Sequence, residues 1–416
     1  MSRTPHTAGR VAMVSEHASP LAALGGPDAG GQNVYVAQVA RQLARKGYRV
    51  TVYTRRDSAG LPDRMTLIDG VRVVHVPAGP AAPVPKDQLL PHMGEFGAFL
   101  ARQWAADPPD VVHAHFWMSG LAALTGTRGL GIPAVQTYHA LGTVKRRYQG
   151  TADTSPAERL AIEEAVGHEC TRIIATCSDE VAELKAMGLP EDRISVVPCG
   201  VDPDHFAPVG ARRLPGARRL PGARRRLLAV GRLVPRKGFD RAIRALAGVP
   251  DAELLIAGGP EADLLGVDPE ASRLYALAGE YGVQDRVTLL GGVGRARMPR
   301  LMSSADLVLS LPRYEPFGIV PLEAMACATP VVATAVGGQL DTVVDGTTGV
   351  LVPADDDHDL GAVVRSLLAD PDRLERYGAA GRERVLGHYT WDHVADGVAG
   401  VYGAVSAIRS LSGVVR

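Results

Sequence analysis

The feature that most restricts the fold is a rhythm. Short runs of β-branched and other apolar residues alternate with helical stretches, and the pattern runs through the chain twice. In the first half the strand-like runs are "RVAMVS", "YRVTVYT", "VRVVHVP", "DVVHAH", "PAVQTYH", "RIIATC" and "RISVVPCG". Between several of them lie amphipathic stretches. "NVYVAQVARQLARKG" places Val36, Val39 and Leu43 on one helical face. "SDEVAELKAMG" opens with Ser178 as an N-cap, carries acids in its first turn and closes on Gly188. The second half restarts with "RLLAVG", "AELLIAGG", "RVTLLGG", "DLVLSL", "PVVATA" and "GVLVP", with "GFDRAIRALAGV" the clearest helix. Near-continuous apolar strands separated by helices imply parallel sheets covered on both faces. The prediction is two tandem, Rossmann-like, doubly wound α/β domains facing a cleft, with ligands beyond the carboxyl ends of the strands.

The chain has 416 residues, which suggests two or three domains at ~150 residues each. The join shows as a composition shift. "ARRLPGARRLPGARRR" (Ala211–Arg226) is a repeated unit with seven arginines and no acid. Low-complexity sequence of this kind builds no core and reads as a solvated linker. The expected organisation is a first domain over 1–208, a linker over 209–226, a second domain over 227–388 and a terminal helical segment over 389–416. The last segment, "TWDHVADGVAGVYGAVSAI", has the pattern of a helix that packs on something already folded. Lys+Arg and Asp+Glu balance at 45 each, which argues against nucleic acid as a partner held by bulk charge. Cys170, Cys177, Cys199 and Cys327 show no C-x-x-C spacing and read as reduced thiols of a cytoplasmic protein. The N-terminus lacks a signal-peptide core, and no apolar run reaches the ~18 residues that span a bilayer. Peripheral membrane contact stays open.

Three segments carry chemistry. "GGPDAGGQNVYV" (Gly25–Val36) joins the first strand to the first helix. Gly30 and Gly31 permit close backbone approach, and the helix start offers N–H groups to an anion or polar ligand. It is not a G-x-G-x-x-G fingerprint, and no acid sits at a clear strand end ~20 residues on. A plain connecting turn is the equal alternative. "AVGRLVPRKGFD" (Ala229–Asp240) puts Arg232 and Lys237 at the end of a strand, beside a helix start, as suits a diphosphate. "RYEPFGIVPLE" (Arg313–Glu323) places Glu315 and Glu323 eight positions apart across a turn. Gly318 allows tight passage, and Pro321 and Glu323 fall in the first helical turn. Glu323 there could simply complement the helix dipole, and Glu315 could be a solvated loop acid. As a pair, one can face a sugar and the other a ribose, with the backbone N–H groups of Phe317, Gly318, Ile319 and Val320 on phosphate oxygens.

These residues resemble a known family. "E-P-F-G-I-V-P-L-E" resembles the E-x7-E motif of retaining glycosyltransferases of family four, which have the GT-B fold. "GRLVPRKG" resembles their donor-phosphate loop, "GGQLDTVVDGTTGVLV" (Gly337–Val352) their glycine-rich segment, and "TYHALG" the loop whose histidine faces the donor sugar. The resemblance implies an acceptor-binding first domain, a nucleotide-sugar-binding second domain and a terminal helix crossing back onto the first. It assigns Arg232 and Lys237 to the diphosphate, Glu323 to the ribose, and Glu315 and His139 to the donor sugar, with Gly31 also on the donor. It implies a retaining hexosyltransferase with front-face attack, needing no metal, no carboxylate nucleophile and no cofactor beyond the nucleotide sugar, a UDP-sugar being favoured. "HAH" puts His113 and His115 on one strand face with no evident third ligand, and "DDDHD" (Asp355–Asp359) reads as a solvated loop.

Within the family, "SEHASPLAALGGPDAGGQNVYV" is most similar to the inositol-phosphate N-acetylglucosaminyltransferases of mycothiol synthesis, and next to sucrose-phosphate synthases. That likeness implies Asn33, Lys86, Phe116, Ala140 and Arg159 as acceptor-binding positions. Phe116 and Ala140 stand where those enzymes carry Tyr and Thr, so two hydroxyls are missing. Each phosphate contact left unmade would cost ~1–3 kcal/mol. The expected activity is transfer of a hexosyl or N-acetylhexosaminyl group to a small polyol or sugar acceptor, inositol phosphate being one. The alternatives are a transferase of polysaccharide, glycolipid or natural-product assembly, or a GT-B sugar-nucleotide epimerase. A dinucleotide oxidoreductase, the alternative on fold alone, lacks its glycine signature. Oligomeric state is open, with a homodimer among the options.

Overall fold

The computed structural model describes residues 9–21, 30–209, 224–355 and 359–412. The chain divides into two compact units. One runs to Pro198 and takes in the segment from Trp391 onward; the other is Cys199–Thr390.

The first unit holds an eight-stranded sheet of β1 (Arg10–Val14), β2 (Arg49–Arg55), β3 (Arg64–Ile68), β4 (Val71–Val76), β5 (Val111–His115), β6 (Ala134–Thr137), β7 (Arg172–Ala175) and β8 (Ile194–Val196). Their spatial order is β3-β4-β2-β1-β5-β6-β7-β8. Seven of the eight correspond to the expected runs. The strand without a sequence signal is β3, which pairs antiparallel with β4 at the sheet edge. Its five residues are exposed or half-buried, so it lacks the apolar continuity that marks the central strands. By contrast, every residue of β5 and β6 is buried. The helix Gly31–Arg45 turns Val36, Val39 and Leu43 fully inward, as its periodicity predicts.

The second unit holds β9 (Arg225–Val230), β10 (Ala252–Ala257), β11 (Val287–Gly291), β12 (Leu307–Ser310), β13 (Val331–Thr334) and β14 (Gly349–Val352). All neighbours are parallel, in the order β11-β10-β9-β12-β13-β14. Alternate residues serve two cores. Leu227 and Ala229 pack on the side of the helix Phe239–Ala247, while Leu228 and Val308 pack on the side of Leu322, Met325 and Val385. Both faces are therefore covered, which is why the strands read as unbroken apolar runs.

Three local expectations need correction. The helix Ser178–Ala186 is capped by Cys177, whose Sγ accepts from the Glu180 N–H, and not by Ser178. Arg225 and Arg226 open β9, so the expected linker is too long at its end; its residues 210–223, like residues 356–358 of the acidic loop, lie outside the described residues. The helix after β12 runs Ile319–Ala326, which puts Glu323 beyond its first turn.

The terminal helix Trp391–Ser412 belongs to the first unit. Trp391, Val394, Ala395, Val398, Tyr402 and Val405 form its buried stripe. It lies against the helix Gly31–Arg45, where Lys46 Nζ reaches Asp392 at 2.8 Å and Asp396 at 2.7 Å. Both carboxylates are largely exposed, so these ion pairs add little beside the apolar stripe. Among the described residues no helix is long and apolar enough to cross a membrane.

Candidate active site

Strand order locates the chemistry. In the first unit the chain leaves β1 for β2 on one side, and later starts β5 on the other. In the second unit it leaves β9 for β10, and later starts β12 on the other side. Loops from β1 and β5, and from β9 and β12, therefore diverge, leaving a crevice at the carboxyl end of each sheet.

At the β9/β12 switch point two loops are locked together. Gly238, with φ 70°, caps the helix Phe239–Ala247; a Cβ there would lie 1.9 Å from the Leu311 carbonyl oxygen. The Arg313 N–H donates to the Arg236 carbonyl at 2.9 Å. Lys237 Nζ meets Glu315 Oε2, and the two side chains are only 14% and 12% exposed. Burial alone would raise the Glu315 carboxyl. The Lys237 ammonium outweighs it, with help from Arg236 and the Phe317 N–H, and holds the group below its ordinary value.

A glycine pair braces this arrangement from β13. Gly338 N–H donates to the Glu315 carbonyl at 2.9 Å. A Cβ on Gly337 would lie 2.1 Å from that carbonyl oxygen, and one on Gly338 would lie 2.8 Å from the Phe317 carbonyl carbon. Thr334 Oγ1 donates to the Pro312 carbonyl at 2.6 Å, and the buried Gln339 Nε2 to Ser310 Oγ at 3.0 Å. Gly318, with φ 65°, then starts the helix Ile319–Ala326, whose first N–H groups lie at its amino end. Glu323 sits among the fully buried Leu322, Ala324, Met325 and Ala326. Burial pushes its carboxyl up to about 7, against the opposing charge of Arg295 at 3.9 Å. Arg295 is itself stacked on Phe206 at 5.2 Å. Arg232, by contrast, is exposed at the end of β9, its carbonyl accepting from the Val234 N–H.

At the β1/β5 switch point Gly31 is the first residue of its helix and Gly30 its cap. Asn33 closes that start: its Oδ1 accepts from the Gly30 N–H at 2.9 Å and its Nδ2 donates to the Ser19 carbonyl at 3.0 Å. Gln32 Nε2 spans the gap to the His115 carbonyl at 3.2 Å. Phe116, with φ 83°, follows β5 and gathers several polar groups around its ring. Arg159 lies over it at 5.2 Å, Lys86 at 5.8 Å, and the His17 imidazole meets it edge-on at 4.8 Å. Arg159 is buried, and three of its donors are committed to Glu163, Ser155 and the Ala140 carbonyl.

His139, with φ 63°, is 3% exposed and its Nε2 lies 2.9 Å from His115 Nδ1. His113 bonds Tyr402 of the terminal helix at 2.7 Å and Thr137 at 2.8 Å. Burial lowers His113 to about 3; burial and the neighbouring imidazoles hold His115 and His139 well below their ordinary value. All three rings are neutral at physiological pH. Among the described residues no group of His, Cys, Asp or Glu is arranged to hold a metal ion.

The fold thus brings together Lys237, Glu315, Phe317 and Gly318 in one unit, and Lys86, Phe116, Ala140 and Arg159 in the other. Arg295, His17, Glu16 and Glu163 have no counterpart in the sequence reading. Arg295 follows the glycines that end β11, and His17 follows β1, so position past a strand end was the available signal.

Residues 212–384 match the family described as Glycosyl transferases group 1, and residues 29–205 match Glycosyltransferase Family 4. The D-inositol 3-phosphate glycosyltransferase of Stackebrandtia nassauensis is 37% identical over 423 residues, covering 97% of this chain and 93% of its own. The chain belongs to the family 4 glycosyltransferases. A second relative, the D-inositol 3-phosphate glycosyltransferase of Mycolicibacterium smegmatis, is 38% identical and covers 94% of this chain and 90% of its own. This glycosyltransferase also superposes on the sucrose-phosphate synthase of Thermosynechococcus elongatus with a TM-score of 0.86 and 31% identity, covering 96% of this chain and all of the other. Anabaena HepE in complex with UDP and glucose, at 18% identity and a TM-score of 0.71 over 95% of this chain and 100% of its own, shares the fold. The glycosyltransferase is a GT-B enzyme that moves sugar from a nucleotide-sugar donor to an acceptor.

Proposed function

We propose that the enzyme transfers a hexosyl or N-acetylhexosaminyl group from a UDP-sugar, with retention and without a metal, to a small polyol phosphate such as inositol phosphate. The observation that carries the donor half is the Lys237–Glu315 pair, locked by glycines at the β9/β12 switch point. As the C1–O bond breaks, negative charge grows on the leaving diphosphate. Lys237, Arg232 and the N–H groups of Gly318, Ile319 and Val320 stabilise it. The Phe317 N–H, expected on the phosphate, is instead taken by the Glu315 carboxylate, and Glu315 keeps Lys237 in place. Glu323 accepts hydrogen bonds from the ribose. Gly31 and His139 complete the donor set by family resemblance.

Lys86, Arg159 and Asn33 form the acceptor side, with Phe116 as its floor and Ala140 at its edge. The names of the relatives support an inositol phosphate. One observation favours a second reading. Phe116 and Ala140 offer no hydroxyl, and three Arg159 donors are already committed, so an acceptor without phosphate, as in natural-product or glycolipid assembly, also fits. Initial rates with a panel of nucleotide sugars and acceptors decide. Transfer to inositol phosphate from a UDP-sugar is expected, with Lys237→Ala lowering kcat about 10²–10³-fold. Turnover of that variant at the wild-type rate would remove the donor assignment. Transfer to an unphosphorylated polyol alone would establish the second reading.

A further inference from the structure

Glu16 is a carboxylate with no role in any of the above, and it is 1% exposed. It sits in the loop after β1, at the switch point, with its backbone fixed. Its carbonyl accepts from the Arg55 N–H at 3.1 Å, and its N–H donates to Ser119 Oγ at 3.0 Å. Ser119 returns its hydroxyl proton to Oε2. The other oxygen, Oε1, lies 2.7 Å from His17 Nδ1. A buried carboxylate is costly unless its partners repay the lost hydration. Here those partners are one hydroxyl and one imidazole, and the imidazole packs edge-on against the ring shared by Lys86 and Arg159.

We propose that Glu16 is a positioning residue for the acceptor. By accepting the Nδ1 proton of His17, it fixes that ring's orientation and tautomer beside Phe116 and leaves Nε2 as the lone pair that receives an acceptor hydroxyl. A carboxylate on one ring nitrogen decides which role the other nitrogen plays. Without Glu16 the proton can move to Nε2, and the ring then presents a donor where a hydroxyl needs an acceptor. This inference rests on reading the Phe116 cluster as the acceptor side.

The test uses the full chain and separate steady-state constants for donor and acceptor, with donor hydrolysis in the absence of acceptor as a third readout. Glu16→Leu is expected to lower kcat/KM for the acceptor about 10–100-fold, the usual cost of removing a group that orients another, with donor KM and hydrolysis unmoved. Glu16→Gln keeps an oxygen for the Nδ1 proton and should recover most of that loss. An equal fall in donor and acceptor constants, or an unchanged acceptor constant, overturns the proposal. If Glu16→Leu does not fold, His17→Asn takes its place. Its amide can keep the Glu16 bond while Nε2 is gone, so acceptor KM should rise, and an unchanged value overturns the proposal. Lys86→Ala separates the two ideas. If it raises acceptor KM and the Glu16 and His17 variants do not, Glu16 alone loses its role; if none of them does, the acceptor side itself lies elsewhere.

Discussion

Glu315 and Glu323 lie eight positions apart, yet their surroundings drive their protons in opposite directions. Lys237 keeps Glu315 ionised, whereas apolar neighbours raise Glu323 to about 7 with only a distant Arg295 in opposition. A carboxyl whose folded pKa is raised stabilises the fold fully below its ordinary value of 4.5. That contribution is lost as pH climbs through about 7. Ligand binding has the reverse sign. A ribose donates its hydroxyls to an ionised carboxylate, so below pH 7 Glu323 must first release a proton. Nucleoside diphosphate affinity measured by calorimetry should therefore fall toward tenfold per pH unit below about 7, beyond any titration of the ligand itself. Glu323→Gln should flatten that added slope; a variant with the wild-type pH profile would separate Glu323 from the ribose. The spacing of the two acids was legible in the sequence. Their opposite protonation was not, because it depends on Lys237, which arrives from the loop after β9 to hold Glu315 down, and on the burial that raises Glu323 despite Arg295.

At the scale of elements, the donor loop keeps its shape because glycine backbones lie where side chains would collide. Gly337 has φ 49°, and a Cβ there would overlap the Glu315 carbonyl. Gly337→Ala should push the Glu315–Gly318 turn away from Lys237. Strain of this kind costs about 1–3 kcal/mol, and donor KM should rise while acceptor KM holds. Thermal melts and separate KM values check both halves; an unshifted donor KM would show that the turn does not need this brace. Apolar period revealed the central strands, since burial on both faces leaves a continuous signature. It did not reveal β3, which pairs along one edge and buries little. Nor did residue type alone locate the Cys177 cap, because a thiol is an uncommon occupant of that position.

On the scale of the whole molecule, the chain leaves the first unit after Pro198 and returns to it at Trp391. Trp391, Val394, Ala395, Val398, Tyr402 and Val405 are buried there. At roughly 1.5–3 kcal/mol for each large apolar side chain, this stripe contributes on the order of 10 kcal/mol, comparable to the net stability of a domain. A chain ending at Thr390 should lose hydrogen-exchange protection in the helix Gly31–Arg45 and in β5, where His113 loses Tyr402, while β9–β14 stay protected. Unchanged protection in the first unit would show that the terminal helix is dispensable to it.

The sequence by itself determined the local and the periodic: two rounds of strand and helix, the glycines at tight turns, the acid pair, and the terminal apolar stripe. Each is written in residues a few positions apart, through side-chain size, charge or period. Tertiary structure alone decided which loops meet. Lys237 and Glu315 are 78 residues apart, Glu16 and Ser119 are 103, and His113 and Tyr402 are 289. Those partnerships follow from strand order, and strand order is settled by how two sheets bury both faces at once, a condition that no short stretch of residues contains.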